Sequence, residues 1–122
     1  MKPKLLGIGV DIVYTPRIAR FLHAPRFLDK ICGADERAWL PHTLDGLAKA
    51  WAAKEATAKT LGTGFWQSGV EWTDISLRPD WEISFLGSAK ELAGHSRIEL
   101  SFEEKNDYVI ATAIRWCTVV LD

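Results

Sequence analysis

Cysteine is scarce in this chain. Cys32 and Cys117 are the only two in 122 residues; they lack metal-cluster spacing and cannot build a disulfide framework, so a reduced, cytoplasmic setting is expected. An excess of charge of either sign is missing too. Fifteen Lys and Arg stand against 16 Asp and Glu, a formal net charge of −1, which gives no general attraction to nucleic acid. A polyanionic partner must be met by a local basic patch, and Arg17, Arg20 and Arg26 are the candidates. No apolar run approaches the length that spans a bilayer, so no membrane association is expected. The apolar stretch after Lys2 and Lys4 contains Asp11 and leads to no small-residue cleavage site, which argues against a signal peptide. Internal repeats, low-complexity tracts and linkers are absent. With 48% apolar and 25% charged residues, the composition is that of an ordinary globular protein, and residues 1–122 are expected to form one domain burying roughly two-thirds of its unfolded surface.

What the chain does have is a strong central helix. Residues 47–65 hold six alanines and no Pro or Gly before Gly62, and Gly62 is well placed as a left-handed C-terminal cap. Leu47, Trp51, Ala58 and Leu61 recur at helical spacing and are expected to bury as one stripe. A second face carries Ala48, Ala52, Glu55 and Lys59, where small alanines leave room for something to approach. On spacing alone, Glu55 and Lys59 read as a surface i,i+4 pair worth about 0.2–0.5 kcal/mol.

Residues 5–13, Leu-Leu-Gly-Ile-Gly-Val-Asp-Ile-Val, suit a buried strand. Gly7 and Gly9 weaken it, and each marks a place where another backbone comes close. Asp11 is the anomaly, because a carboxylate in such a run is costly to bury without a cation, a metal or several donors. The plain alternative puts Asp11 at the strand's exposed end.

Thr15 as N-cap and Pro16 at the first helical position predict a helix that sends Arg17 and Arg20 outward while Ile18, Phe21 and Leu22 face the core. Short helices over 26–31 and 35–40 follow, the second stopped by Pro41, and Thr43 or Asp45 caps the central helix. Strands are expected over 70–77 and 81–85, joined across Arg78-Pro79-Asp80. Ser88 to Glu91 has capping-box spacing for a helix that Gly94 ends. Strands over 97–102 and 108–121 flank a plausible hairpin turn. The class is α+β: an antiparallel sheet packed against a long central helix with short extra helices. Six tryptophans are expected in core or subunit contacts.

The run Gly7-Ile8-Gly9-Val10-Asp11-Ile12, then Trp51-Ala52-Ala53-Lys54-Glu55-Ala56 leading into Lys59-Thr60-Leu61-Gly62-Thr63-Gly64, resembles the 4′-phosphopantetheinyl transferase family, in its short, trimeric form, the holo-[acyl-carrier-protein] synthases. The likeness extends through Arg17-Ile18, residues 31–40 and the C-terminal strand pair. It implies the family's fold and the transfer of 4′-phosphopantetheine from coenzyme A to a serine of an apo acyl carrier protein, with adenosine 3′,5′-bisphosphate released. It also implies Mg²⁺ held by Asp11 and Glu55, coenzyme contacts from Lys54, Lys59, Gly62, Thr63 and Gly64, and a homotrimer with active sites at subunit boundaries. By the same resemblance Glu55 is the expected base for the carrier serine, Lys59 stabilises charge on the leaving group, and Arg17, Arg20 and Arg26 dock the acidic carrier.

The chain also departs from the family pattern. Ala50 stands where an Arg is usual, and Ser101-Phe102-Glu103-Glu104 replaces a motif ending in His. Lys49, Arg97 or Lys105 are possible substitutes. A second reading is therefore a non-catalytic module that binds an acyl carrier protein after losing coenzyme contacts.

Overall fold

A computed structural model describes residues 1–62 and 69–120. A long strand β1 (Lys2–Tyr14) leads through a short helix α1 (Thr15–Ile18) and a 3-10 turn at Ala19–Phe21 to α2 (Pro25–Ile31) and α3 (Ala34–Trp39), and then to the central helix α4 (Leu44–Thr60). After it come a 3-10 turn at Trp72–Asp74, β2 (Ile75–Arg78), a 3-10 turn at Pro79–Trp81, β3 (Glu82–Phe85), α5 (Gly87–Ala93), β4 (Arg97–Lys105) and β5 (Tyr108–Val119). The α+β expectation holds. One antiparallel sheet has the order β1-β5-β4, and β2 and β3 form a separate hairpin.

Helix α4 begins where Thr43 Oγ1 accepts the Gly46 N–H at 3.0 Å, the N-cap bond that satisfies an otherwise orphaned donor. It ends as anticipated: the Gly62 N–H reaches back to the Lys59 carbonyl and Gly62 takes φ +81°, a conformation that costs glycine little. The expected single apolar stripe is too narrow. Leu47, Ala48, Ala50, Ala52, Ala53, Ala56 and Ala58 are all fully buried, because the sheet covers one side of the helix and the small helices and β2 cover the other.

The alanine face makes room for β1. A Cβ added at Gly9 would lie 1.9 Å from the Ala56 carbonyl oxygen, and one at Gly7 would lie 2.7 Å from that of Thr60, so strand and helix touch backbone to backbone. Strand side chains alternate between faces. Gly7, Gly9, Asp11 and Val13 therefore point toward α4, while Ile8, Val10, Ile12 and Tyr14 lie exposed on the open side. This period-two alternation places Asp11 beside the helix rather than at a strand end. In the register, Asp11 faces Ala111 and Gly9 faces Ala113 of β5.

Several local expectations need correction. Thr15 is already helical and Tyr14 is the N-cap, since the Thr15 N–H donates to the Asp107 carbonyl at 2.7 Å. The strand expected over 70–77 begins only at Ile75. Before it, Asp74 Oδ2 accepts the Glu71 N–H at 3.0 Å and curls the chain into a 3-10 turn, a local bond that competes with sheet pairing. Ser88 does not cap α5. Leu86 takes that position without a side-chain bond, its own N–H spent on the Asp74 carbonyl. The C-terminal hairpin closes as expected, Lys105 opposite Tyr108, with Asn106 at φ +56° in the turn.

Candidate active site

Asp11 and Glu55, 44 positions apart in the chain, line the same cleft of about 320 Å³, together with Arg17, Phe21 and Trp51. β1 carries Asp11 on its helix-facing side and α4 carries Glu55 one turn before Lys59. The Lys59 ammonium lies 2.7 Å from the Val10 carbonyl oxygen and 3.3 Å from Asp11 Oδ1. The i,i+4 reading of Glu55 and Lys59 is thus replaced by a bridge across elements, from α4 to β1. Among the described residues Glu55 has no hydrogen-bond or ion-pair partner.

Electrostatics mark these two acids. Burial raises the Asp11 carboxyl above its ordinary range, against the opposing hydrogen bond and charge of Lys59. Glu55 is also raised, first by burial and then by the negative charge of Asp11, with Lys59 partly offsetting both. Two half-buried carboxylates that repel each other across a cleft hold stored electrostatic free energy, which a cation between them would release. Hard oxygen donors in a cleft with room for water suit Mg²⁺, which takes few protein ligands and keeps several waters. Among the described residues no third His, Cys, Asp or Glu completes a closed metal cage.

Lys54 does not join this group. Its side chain is fully buried and its ammonium donates to the carbonyls of Ile31 and Trp72 and to Glu36 Oε1, the last at 2.8 Å. The expected coenzyme contact from Lys54 is corrected on that ground: all its protons already have acceptors inside the protein. Glu36, which gave no signal in the sequence, is the buried counter-ion, and its second oxygen accepts the Leu77 N–H at 2.9 Å. Only folding brings Glu36 and Lys54 together.

Arg17 reaches the cleft rim, while Arg20 and Arg26 are exposed beyond it. The Arg20 guanidinium lies 4.8 Å from the centre of the Phe21 ring. Beyond Glu55 the cleft adjoins a second, more apolar one of about 340 Å³, walled by Phe21, Phe27, Ile31, Trp51 and Trp72. Its rings pack in a chain: Phe21 on Phe27 at 4.9 Å, Phe27 on Trp51 at 5.4 Å, and Trp51 on Trp72 at 4.7 Å. Among the described residues Gly62 has nothing within 4 Å of where a Cβ would be. Thr63 and Gly64 lie outside the described residues. Arg115, unremarked in the sequence, donates to the Thr60 carbonyl at 3.1 Å and so caps the helix end beside Gly62.

The departures have local structural explanations. Glu104 forms an ion pair with Lys49 at 3.1 Å, and Lys49 also meets Asp45 at 3.5 Å. Lys49 is thus shared between two acids and is not a spare cation. Ala50 is fully buried in the core. Arg97 lies over the Trp116 ring, 5.9 Å from its centre.

The stretch that holds this glycine-lightened strand, the alanine-rich helix clamped to it and the acid that each turns to the common cleft is matched, over residues 7–113, by the family model of the 4′-phosphopantetheinyl transferase superfamily. The chain belongs to that family. Within it, the chain is similar to proteins named holo-[acyl-carrier-protein] synthase. That of Exiguobacterium sp. is 35% identical over 115 residues, covering 90% of this chain and 91% of the relative. The crystal structure of the Neisseria meningitidis synthase superimposes with a TM-score of 0.73 at 32% identity, covering 92% of this chain and 98% of that one. The Bacillus anthracis synthase, solved in complex with coenzyme A (3′,5′-ADP), gives a TM-score of 0.73 at 25% identity over 93% and 98% of the two chains.

Proposed function

We propose that this protein is a holo-[acyl-carrier-protein] synthase: it transfers 4′-phosphopantetheine from coenzyme A to a serine hydroxyl of an apo acyl carrier protein and releases adenosine 3′,5′-bisphosphate. The observation that carries this reading is that Asp11 and Glu55 line one cleft while Lys59 holds Asp11 at 3.3 Å, in a chain of this family.

Asp11 and Glu55 are the residues that would hold Mg²⁺, whose chemistry there is to neutralise the diphosphate charge. Glu55, which faces the cleft, is assigned to take the proton from the carrier serine, directly or through a water, as the serine oxygen bonds to the pantetheine-side phosphorus. The bond to the bridging oxygen breaks, and the electron pair leaves with the adenosine bisphosphate. Lys59, fixed by the Val10 carbonyl at 2.7 Å, supplies a positioned positive charge for that leaving phosphate. Thr63 and Gly64, with Gly62, are assigned to coenzyme binding by the family motif alone.

The exposed Arg17, Arg20 and Arg26 form the docking face for the acidic carrier, where opposite charge speeds encounter and fixes orientation. Leu5, Ile8, Val10 and Ile12 lie exposed along the open face of β1, an apolar band suited to a subunit contact. Assembly as a homotrimer is what the family resemblance implies. Two free cysteines suit a reducing, cytoplasmic setting.

The test is to incubate the protein with coenzyme A, Mg²⁺ and a panel of apo carrier proteins and to weigh the carriers. A phosphopantetheine mass gain on one of them is expected, and no gain on any would count against the assignment. Carrier binding without coenzyme A binding in calorimetry would instead favour the non-catalytic module.

A further inference from the structure

The apolar cleft beside Glu55 has one wall made by the end of α2 and by Trp72 and another made by Trp51 on α4. Nothing covalent joins these walls closely: Ile31 and Trp72 stand 23 and 18 positions from Lys54 in the chain. Besides the ring contacts of Trp51 with Phe27 and Trp72, a buried ammonium ties them at the backbone. Lys54 donates to the Ile31 carbonyl, to the Trp72 carbonyl at 2.9 Å and to Glu36 at 2.8 Å. Glu36 in turn accepts from the Gly33 N–H at 2.9 Å and the Leu77 N–H at 2.9 Å. Every proton of the lysine and both oxygens of the acid are engaged, and both side chains are almost fully buried. Replacing such a pair by well-packed hydrophobic residues is often neutral or stabilising, so its burial is weak evidence that it is there for stability.

We propose that Lys54 is a positioning residue. By gripping the carbonyls of Ile31 and Trp72, it holds the far wall of the apolar cleft at a fixed distance from the turn of α4 that carries Trp51 and Glu55. Lys54 touches no reactant. It shapes the side of the site that, on the function proposed above, receives the carrier protein, because Phe21 and Phe27 of the same cleft belong to the segment that bears Arg20 and Arg26.

The test variant is Lys54→Met/Glu36→Gln, which removes the grip without leaving a lone buried charge. A cooperative melt and an unchanged far-ultraviolet circular dichroism spectrum are expected. The near-ultraviolet signal of the tilted, touching Trp51 and Trp72 rings, 4.7 Å apart, should fall markedly. KM for the carrier should rise about fivefold or more, while kcat and coenzyme A affinity stay within about twofold. Glu36→Gln alone, which leaves Lys54 its two carbonyls, should keep the near-ultraviolet signal and most of the carrier affinity. A double variant with wild-type near-ultraviolet signal and KM overturns the proposal. So does a selective loss of coenzyme A affinity, which would make Lys54 a direct ligand. Should the double variant not fold, Lys54→Gln/Glu36→Gln is scored by the same readouts and limits. Should the wild-type protein modify no carrier, the function reading fails, and the near-ultraviolet arm still decides whether Lys54 holds the wall.

Discussion

Replacing Gly9 with alanine tests the link between fold and site most directly. The new Cβ would meet the Ala56 carbonyl oxygen at 1.9 Å, when real Cβ atoms essentially never come within 3.0 Å of a neighbour. The strand and helix must therefore part by about 1 Å. Both partners are backbone, so no side-chain rotation relieves the clash. Overpacking of this kind costs about 1–3 kcal/mol, which lowers the melting temperature by roughly 4–12 °C in a chain of this size. The same parting moves Asp11 away from Glu55 and Lys59, and a misplacement of that order costs about a hundredfold in rate. Gly94→Ala, at the end of α5, is the control. Among the described residues it meets nothing within 4 Å but must hold φ +59°, so it should lose about 1–3 kcal/mol from backbone strain alone without moving the acids. Calorimetric melts and carrier-transfer rates measured on both variants decide the matter. A Gly9→Ala protein that melts and turns over like wild type would refute the account of β1 and α4 as a backbone clamp.

Other outcomes follow from the charges. Burial raises both Asp11 and Glu55 in the folded chain, so the metal-free fold binds protons more tightly than the unfolded chain. Their stabilising contribution is complete below the ordinary carboxylate range, about pH 4, and is lost as pH rises through the raised values. Metal-free melting temperature should therefore fall across that window, and Asp11→Asn/Glu55→Gln should flatten the dependence while abolishing transfer; an unchanged slope would sink the argument. Mg²⁺ should raise the wild-type melting temperature near neutral pH by mass action and leave that double variant unmoved. Lys54→Met alone strands the Glu36 charge in the core and should cost about 3–5 kcal/mol, read by denaturant unfolding. Arg17→Glu should slow carrier association and weaken its dependence on salt, with melting nearly unchanged, as stopped-flow mixing at two ionic strengths would show.

Much of this was legible in the chain itself. The lack of Pro and Gly through residues 47–61 and the Gly at 62 set the central helix and its end, and the apolar run of residues 5–13 marked β1 as a strand, though not the side that Asp11 takes. These are local signals, because they depend on steric limits and periodicity within a few residues. Local bonds that compete with such signals were less readable: Asp74 turning on Glu71, or Leu86 rather than Ser88 leading into α5. The partners of charged groups were not readable at all. Lys54 and Lys59 sit on one helix five residues apart, yet one is enclosed with Glu36 while the other reaches Asp11 on β1. What separates them is which side of α4 the sheet covers and which side the small helices cover, a matter of packing between distant segments that no spacing along the chain encodes.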